Sequence, residues 1–129
     1  MSSSIGQVQY FPLDIRSSAI HGKGIFAKTN IPSGMLVYAS DDYSITPSPI
    51  YASIQRSSNT HLLDGMLRWE NHSCEPNSYL QFDDRIIQLI TVVSVESGQE
   101  IVCDYRNTED SIPAEFRCNC GYCDGSLIK

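Results

Sequence analysis

Three cysteines near the C-terminus, Cys118, Cys120 and Cys123, form a C-x-C-x-x-C motif with a glycine inside it. A tight turn of this kind directs its thiolates inward together, and Zn²⁺ prefers four ligands in tetrahedral geometry. The fourth ligand must come from a distant part of the chain, where Cys74, Cys103 and His72 are possible donors. The motif therefore predicts one structural zinc ion that would hold the C-terminal segment onto the domain.

The segment from Arg68 to Asn77 reads R-W-E-N-H-S-C-E-P-N. It gathers asparagine, histidine, serine and cysteine side chains around one proline, between two apolar runs. Taken alone, His72 would be interpreted as a hydrogen-bonded histidine of a surface loop. Packing alone does not explain the whole combination, so we interpret the segment as part of a functional site.

Two glycine turns lead into predicted strands. Gly22 and Gly24 lie one residue apart before an apolar run, and a backbone without Cβ atoms can approach a ligand closely. The second turn begins the stretch from Gly98 to Tyr105, in which alternating residues follow the turn and the last residue is a tyrosine. Neither stretch has the glycine spacing of a P-loop or of a dinucleotide-binding fingerprint.

Taken in this order, the four stretches resemble the SET domain, the fold of protein lysine methyltransferases. The Gly22 turn is similar to its N-terminal motif, Arg68–Asn77 to its R-F-x-N-H-S-C-x-P-N segment, Gly98–Tyr105 to its G-E-E-L-x-x-D-Y strand, and Phe116–Gly125 to a post-SET zinc motif. The resemblance implies a mostly β fold of several small sheets. It also implies a pseudoknot, in which the N-H-S segment threads under the D-Y segment, and a C-terminal zinc-binding lobe.

The resemblance also implies roles for individual residues. Tyr105 becomes the catalytic tyrosine, and Phe116 covers the adenine of the cofactor. Cys74 becomes the fourth zinc ligand. The remaining residues expected to bind S-adenosylmethionine are Lys23 and Gly24 through their backbone, with Arg68, Asn71 and His72.

Two residues depart from the family pattern. The resemblance places Cys103 in the substrate pocket, where the family usually has Phe or Tyr. The smaller side chain leaves room for higher methylation states or for a different substrate. It is equally compatible with a small buried hydrophobic residue that has no role in the reaction. Glu70 replaces an apolar residue before Asn71. A carboxylate there must face solvent, be paired, or lie near the active site, and the sequence leaves these alternatives open.

The elements that position these residues are predicted from apolar runs between glycine and proline turns. One helix is predicted over Pro49–Ser57, followed by a mobile loop between Ser57 and Thr60. The predicted strands are Ile25–Lys28, Met35–Ala39, Ile86–Val95 and Glu100–Tyr105.

The whole chain, 129 residues with 41% hydrophobic residues, has the size and composition of one globular domain. We predict a flexible tail over residues 1–10, a SET domain over 11–107 and a zinc-binding post-SET segment over 108–129. The polar N-terminus and clustered cysteines favour an intracellular location, cytoplasmic or nuclear. No apolar run is long enough for a membrane span.

Charge and motifs together give three candidate functions. A net charge of −6 argues against direct nucleic-acid binding and suits a basic peptide. The leading hypothesis is S-adenosylmethionine-dependent methylation of a protein lysine, such as a histone lysine. The alternatives are a SET-fold enzyme acting on a small molecule, by methyl transfer or by another reaction such as cyclisation, and a non-catalytic zinc-stabilised binding module. The sequence predicts no oligomeric state.

Overall fold

The computed structural model describes residues 7–8, 11–48, 52–107, 109, 116–118, 120, 125 and 127–128. Short strands dominate this part of the chain, as the predicted mostly β class requires. Two 3-10 turns lie at Leu67–Trp69 and Tyr105–Asn107. The strands are β1 Gln7–Val8, β2 Leu13–Ser17, β3 Lys23–Ala27, β4 Leu36–Ser40, β5 Tyr43–Thr46, β6 Ile54–Ser57, β7 Thr60–Asp64, β8 Asn71–His72, β9 Ser78–Asp83, β10 Ile86–Thr91, β11 Glu100–Cys103, β12 Phe116–Arg117 and β13 Leu127–Ile128.

These strands form several small sheets. The strand orders are β1-β4-β10-β9, β2-β3-β11-β8, β5-β7-β6 and β12-β13. The pairs are antiparallel except that β8 runs parallel to β11. No helix among the described residues has the length and apolar character needed to cross a membrane.

The core lies between the two four-stranded sheets. In β10 the side chains of Ile87, Leu89 and Thr91 are buried while their neighbours are half-exposed, which is the alternation of a strand with one face inward. Ile87 and Leu89 share one apolar cluster with Ile25 and Ile101 from the second sheet. Burial of each such side chain contributes about 1.5–3 kcal/mol.

The predicted helix over Pro49–Ser57 is wrong where the structure describes it. Ile54–Ser57 is strand β6, whose Ile54 pairs with Leu62 and Gln55 with His61 of β7. This pairing buries Ile54 and Gln55. A short isolated helix is only marginally stable, so the strand pairing is favoured. Residues 49–51 lie outside the described part of the chain. Between Ser57 and Thr60, where we predicted a mobile loop, the chain makes a two-residue turn of this hairpin.

The predicted strand Ile86–Val95 is too long, because β10 ends at Thr91. Val92 and Val93 after it are 43% and 50% exposed, and Val95 then pairs with Ile31 in an isolated bridge. The predicted strand ending at Tyr105 also stops early, because β11 ends at Cys103 and Tyr105 begins a 3-10 turn.

Residues 70–78 and 100–105 meet side by side, and we call this place the crossing. Asn71 pairs with Val102, and His72 pairs with Cys103. The backbone N–H of Ser73 donates to the Cys103 carbonyl at 2.9 Å. These are the two segments that the predicted pseudoknot joins, and their parallel pairing brings the chemically informative motifs into one place.

Candidate active site

Asn71 connects the glycine turn to the crossing. Its buried side-chain amide lies within donating distance of the carbonyl oxygens of His21 and Lys23, both at 3.0 Å, and of Oε2 of Glu100 at 2.8 Å. Glu100 in turn accepts a hydrogen bond from the Ser18 hydroxyl at 2.6 Å. Asn71 thus fixes the start of β3 against β8 and β11.

Gly24 is needed because a carboxylate occupies the space beside it. A Cβ atom at Gly24 would overlap Oε2 of Glu100 and would lie 2.7 Å from Cδ of the same side chain. Both oxygens of that carboxylate are held, by Ser18 and by Asn71, so it cannot move aside without losing hydrogen bonds. The close approach predicted for this glycine is therefore made, in the structure, to Glu100.

Lys23 and Arg68 place two positive charges around one indole ring. The Arg68 guanidinium lies 5.1 Å and the Lys23 ammonium 5.9 Å from the centroid of Trp69. Both distances lie within the range of cation–π attraction. Arg68 also lines a cleft of about 280 Å³ with Tyr43 and Asp64. Arg68 from the loop between β7 and β8 and Lys23 from β3 therefore place two cations around Trp69, next to the glycine turn.

His72 is buried and hydrogen-bonded at both ring nitrogens. Nδ1 accepts the backbone N–H of Tyr105 at 3.0 Å, and Nε2 lies 3.6 Å from Sγ of Cys74. A neutral imidazole that accepts at Nδ1 carries its proton on Nε2, so His72 donates toward the Cys74 sulfur. Burial lowers the pKa of His72, the nearby Arg106 charge lowers it further, and only Asp104 opposes them. His72 is thus a neutral hydrogen-bond donor to the thiol.

Tyr105 is fixed from two sides of the crossing. Its hydroxyl donates to the Glu70 carbonyl oxygen at 2.7 Å, and its backbone N–H donates to His72. The two rings lie 5.2 Å apart with an interplanar angle of 59°. Asp104, the preceding residue, accepts two hydrogen bonds from the Arg106 guanidinium, and these lower the pKa of Asp104. The tyrosine predicted to be catalytic therefore has a defined position beside Asn71 and His72.

Glu70 and Cys103 lie together at the crossing, and both side chains are buried. Burial raises the pKa of Glu70 to about 7 and the negative charge of Glu100 adds to this, while hydrogen bonds from Ser78 and Cys103 oppose it. Burial, followed by the charge of Glu70, raises the pKa of the Cys103 thiol well above its usual value. Of the alternatives left open for Glu70, the structure shows a buried, hydrogen-bonded group.

The candidate zinc ligands meet at the edge of the crossing. The sulfur atoms of Cys74 and Cys118 lie 3.8 Å apart. Two thiolates bound at about 2.3 Å to one tetrahedral zinc are separated by roughly 3.8 Å, so this pair fits the ion. The donor atoms of His72, Cys74 and Cys118 lie within 4.8 Å of one another, and Nε2 of His72 faces the Cys74 sulfur while Nδ1 accepts the Tyr105 N–H.

Other predicted site residues are only partly described. Cys120 is half-buried, and the four described cysteines form no disulfide. Cys123 lies outside the described residues. Phe116 begins β12 and pairs with Ile128 through the backbone, while its side chain lies outside the described part of the chain. The four-cysteine zinc site and the adenine cover thus stay predictions.

Several residues that hold the site together are not predicted from the sequence. Ser18, Asn77, Ser78 and Glu100 all bind the crossing through their side chains. Glu100 and Asn77 lie inside the motifs that drew attention, which was the available signal. Nothing in the sequence around Ser18 indicates its contact with a residue 82 positions away.

A family model described as the SET domain matches residues 22–106, more than half of the chain. The chain belongs to the SET domain family. The match begins at the glycine turn and ends beside Tyr105, so it covers the crossing that the structure reveals. SET domain membership also accounts for the parallel β8–β11 pair, which the resemblance predicted as a pseudoknot.

Known relatives of this SET domain include two curated proteins and a solved structure. Histone-lysine N-methyltransferase 2B of Homo sapiens is 26% identical over 125 residues, covering 81% of this chain and 5% of the relative. Histone-lysine N-methyltransferase met-2 of Caenorhabditis elegans is 34% identical over 73 residues, covering 48% and 6%. The chain therefore spans a small fraction of these relatives. KRYPTONITE, in a complex with mCHH DNA, an H3(1-15) peptide and SAH, matches with a TM-score of 0.67 and 22% identity, covering 91% of this chain and 29% of that one.

Proposed function

We propose that this protein transfers a methyl group from S-adenosylmethionine to a lysine side chain of a protein substrate. The observation that carries the proposal is the position of Tyr105, whose hydroxyl is fixed at the crossing beside Asn71 and His72. A lysine amine, with an ordinary pKa of about 10.4, must lose its proton before its lone pair attacks the sulfonium methyl. The bond from carbon to sulfur then breaks as the bond from carbon to nitrogen forms. Tyr105 would orient the neutral amine in line with the methyl group.

The residues around the glycine turn fit the proposed cofactor. S-adenosylmethionine carries a carboxylate, and the exposed Lys23 and Arg68 place two cations together at Trp69. Asn71 holds the turn that would contact the cofactor through its backbone. When bound, the cofactor supplies the electrophilic methyl group.

A basic peptide is the substrate that we propose, a histone tail being the leading case. The chain is acidic, with a net charge of −6, and opposite charge speeds the encounter with a basic partner. The names of two curated relatives specify histone lysine, and the KRYPTONITE structure holds an H3 peptide. The small side chain of Cys103 would leave space for an amine that already carries methyl groups. A histone substrate would place the reaction in the nucleus.

We further propose that Cys74, Cys118, Cys120 and Cys123 bind one structural zinc ion. The separation of 3.8 Å between the sulfurs of Cys74 and Cys118 supports this set. His72 would stabilise the Cys74 thiolate by donating its Nε2–H. The ion would join the C-terminal segment to the crossing and take no part in methyl transfer.

The proposal is tested first by calorimetric titration of the purified protein with S-adenosylmethionine and S-adenosylhomocysteine. We expect both to bind. Histone H3 peptides and a matched panel with each lysine replaced by arginine are then incubated with labelled cofactor. Transfer that depends on one lysine supports the proposal. Absence of binding to both cofactors would refute it.

A small-molecule substrate is the second candidate, and the buried Glu70–Cys103 pair favours it. A buried acid and a buried thiol are unusual neighbours for a tyrosine that would orient an aliphatic amine. A metabolite would need a closed cavity, whereas a peptide needs an open groove. If the cofactor binds but no peptide is methylated, incubating the protein with metabolite mixtures distinguishes this candidate from a non-catalytic binding module.

A further inference from the structure

Ser78 makes two contacts that together need more protons than its hydroxyl has. Its Oγ lies 2.7 Å from the carbonyl oxygen of Val102 and 2.9 Å from Oε2 of Glu70. Both distances are ordinary for hydrogen bonds between oxygen atoms. A hydroxyl group carries one proton, and a backbone carbonyl can only accept. The Ser78 proton is therefore used on the carbonyl of Val102, the shorter contact.

The contact between Ser78 and Glu70 then requires a proton from the carboxyl group. We propose that Glu70 is a protonated carboxylic acid that donates a hydrogen bond to Ser78. This bond fixes Glu70 and so positions its own backbone carbonyl, which accepts the hydrogen bond from the Tyr105 hydroxyl. The chain of donors runs from Glu70 to Ser78 to the carbonyl of Val102 in β11. The positioning role rests on the proposed function, since it matters for catalysis only if Tyr105 is catalytic. The protonation of Glu70 does not.

The surroundings of Glu70 favour the neutral acid. The side chain is buried, and its Oε1 receives no hydrogen bond of standard geometry from the described residues. The ionisable groups that face it are Cys103 and Glu100, both from β11, and the hydroxyl of Tyr105, which bonds its backbone carbonyl. None of these groups supplies a positive charge. Burial, together with the Glu100 charge, raises the pKa of Glu70 to about 7 even against hydrogen bonds from Ser78 and Cys103, and a Ser78 proton that is donated to Val102 removes one of these opposing contacts.

Ionisation would disturb Tyr105 through a short path. A Glu70 carboxylate would face the lone pairs of Ser78, because the Ser78 proton is already donated to Val102. Relief requires the hydroxyl to turn away from the Val102 carbonyl or Glu70 to move. The first change leaves the Val102 carbonyl without the Ser78 proton, and the second displaces the residue whose carbonyl accepts the Tyr105 hydroxyl bond.

The test is NMR titration of protein with ¹³C-labelled glutamate side chains, comparing the wild type with Glu70→Gln. A glutamine amide can donate to Ser78 as the acid does, but it does not ionise. We expect one glutamate resonance to titrate near pH 7 in the wild type and to be missing from the variant. Glu96→Gln, at an exposed site, is the control and should keep that resonance. If all glutamates have ordinary titrations, the proposal is wrong.

Stability provides a second readout. The pKa of Glu70 is about 7 in the folded protein against an ordinary value of 4.5, so between these values the folded state holds a proton that the unfolded state has lost. The unfolding equilibrium constant of the wild type, relative to that of Glu70→Gln, should therefore rise about tenfold per pH unit from about pH 4.5 to about 7. A constant ratio would contradict the protonated acid.

The positioning role is tested by following the Tyr105 ring resonances in the same titration. We expect them to shift with the midpoint of Glu70 in the wild type and to stay constant through that range in Glu70→Gln. Unmoved Tyr105 resonances would overturn the positioning role. Because neither readout uses methyl transfer, an inactive protein would refute the proposed function while leaving this inference standing.

Discussion

The hydroxyl and the backbone N–H of Tyr105 are bound to different parts of the same segment. The hydroxyl bonds the carbonyl of Glu70, and the N–H bonds the ring of His72. Removing the hydroxyl should free the ring of the tyrosine while the backbone contact remains. Removing this one oxygen atom therefore tests the role of the hydroxyl in methyl transfer without removing the backbone hydrogen bond to His72.

We expect Tyr105→Phe to lower the rate constant for methyl transfer by about 100-fold, because an amine that is no longer oriented loses much of its near-attack geometry. Cofactor binding should stay within about twofold, because the substitution leaves Asn71 and the glycine turn intact. Steady-state kinetics and calorimetry measure the two effects. Tyr79→Phe, at a residue 36% exposed, is the control and should retain full activity. Full activity in Tyr105→Phe would contradict the proposed catalytic role of this residue.

A second residue-scale prediction concerns Gly24 and Glu100. Gly24→Ala should lower the free energy of unfolding by about 1–3 kcal/mol, because its Cβ overlaps a carboxylate held by two hydrogen bonds. In an Glu100→Ala background the same change should cost much less, since the overlapping atoms are gone. Urea denaturation of the four proteins gives the coupling energy. Additive effects would show that the overlap is relieved in another way.

At this scale the sequence identified most of the candidate site but not its contacts. Asn71, His72 and Tyr105 were found through motifs, whereas the environment of Glu70 was left open. Whether a carboxyl group is buried or exposed depends on the residues that the fold packs against it, here Ser78, which follows the motif, and Cys103 of β11. The residues just before and after Glu70 in the sequence do not indicate which side chains will surround it.

At the scale of elements, the crossing is held by Asn77 as much as by strand pairing. Its amide donates to the Glu100 carbonyl at 2.8 Å and its Oδ1 accepts the Val102 N–H at 2.9 Å. The side chain thus takes the place of a neighbouring strand for two residues of β11. The backbone groups of β11 that the two-residue strand β8 does not reach are thereby hydrogen-bonded.

Asn77→Ala should therefore lower the free energy of unfolding by about 2–4 kcal/mol, because it leaves a backbone N–H and a backbone carbonyl at the crossing without partners. Thermal and urea denaturation measure the loss. Asn59→Ala, in the exposed turn between β6 and β7, should change the stability by at most about 0.5 kcal/mol. Equal effects at both positions would mean that the crossing does not depend on Asn77.

The elements themselves were predicted where alternation and turns coincide. Strands β3, β4 and β11 follow glycine turns, and β10 follows the polar turn at Asp83–Arg85. The segment at Ile54 was misread because spacing between Ile50 and Ile54 suits a helix as well as a strand. Its pairing with Leu62 decided the outcome, and such pairing is a property of the folded hairpin.

At the scale of the whole molecule, the proposed zinc ion would join the C-terminal segment to the rest of the domain. We expect one zinc per chain by metal analysis, and we expect Cys74→Ser to lose it. Cys103→Ser should retain zinc, because Cys103 is buried against Glu70 and its sulfur is not among the grouped donor atoms of His72, Cys74 and Cys118. Chelation should lower the melting temperature of the wild type. Stoichiometric zinc in Cys74→Ser would contradict the assignment.

The contact between Cys74 and Cys118 joins positions 44 residues apart, and it also bears on the order of folding. We expect the C-terminal segment to dock after residues 70–78 have paired with β11, because Cys74 belongs to that segment. An interaction formed after the rate-limiting step slows unfolding and leaves the folding rate nearly unchanged. The contacts of the proposed zinc ligands would thus mainly lower the rate of unfolding, while the pairing of the strands would determine the rate of folding.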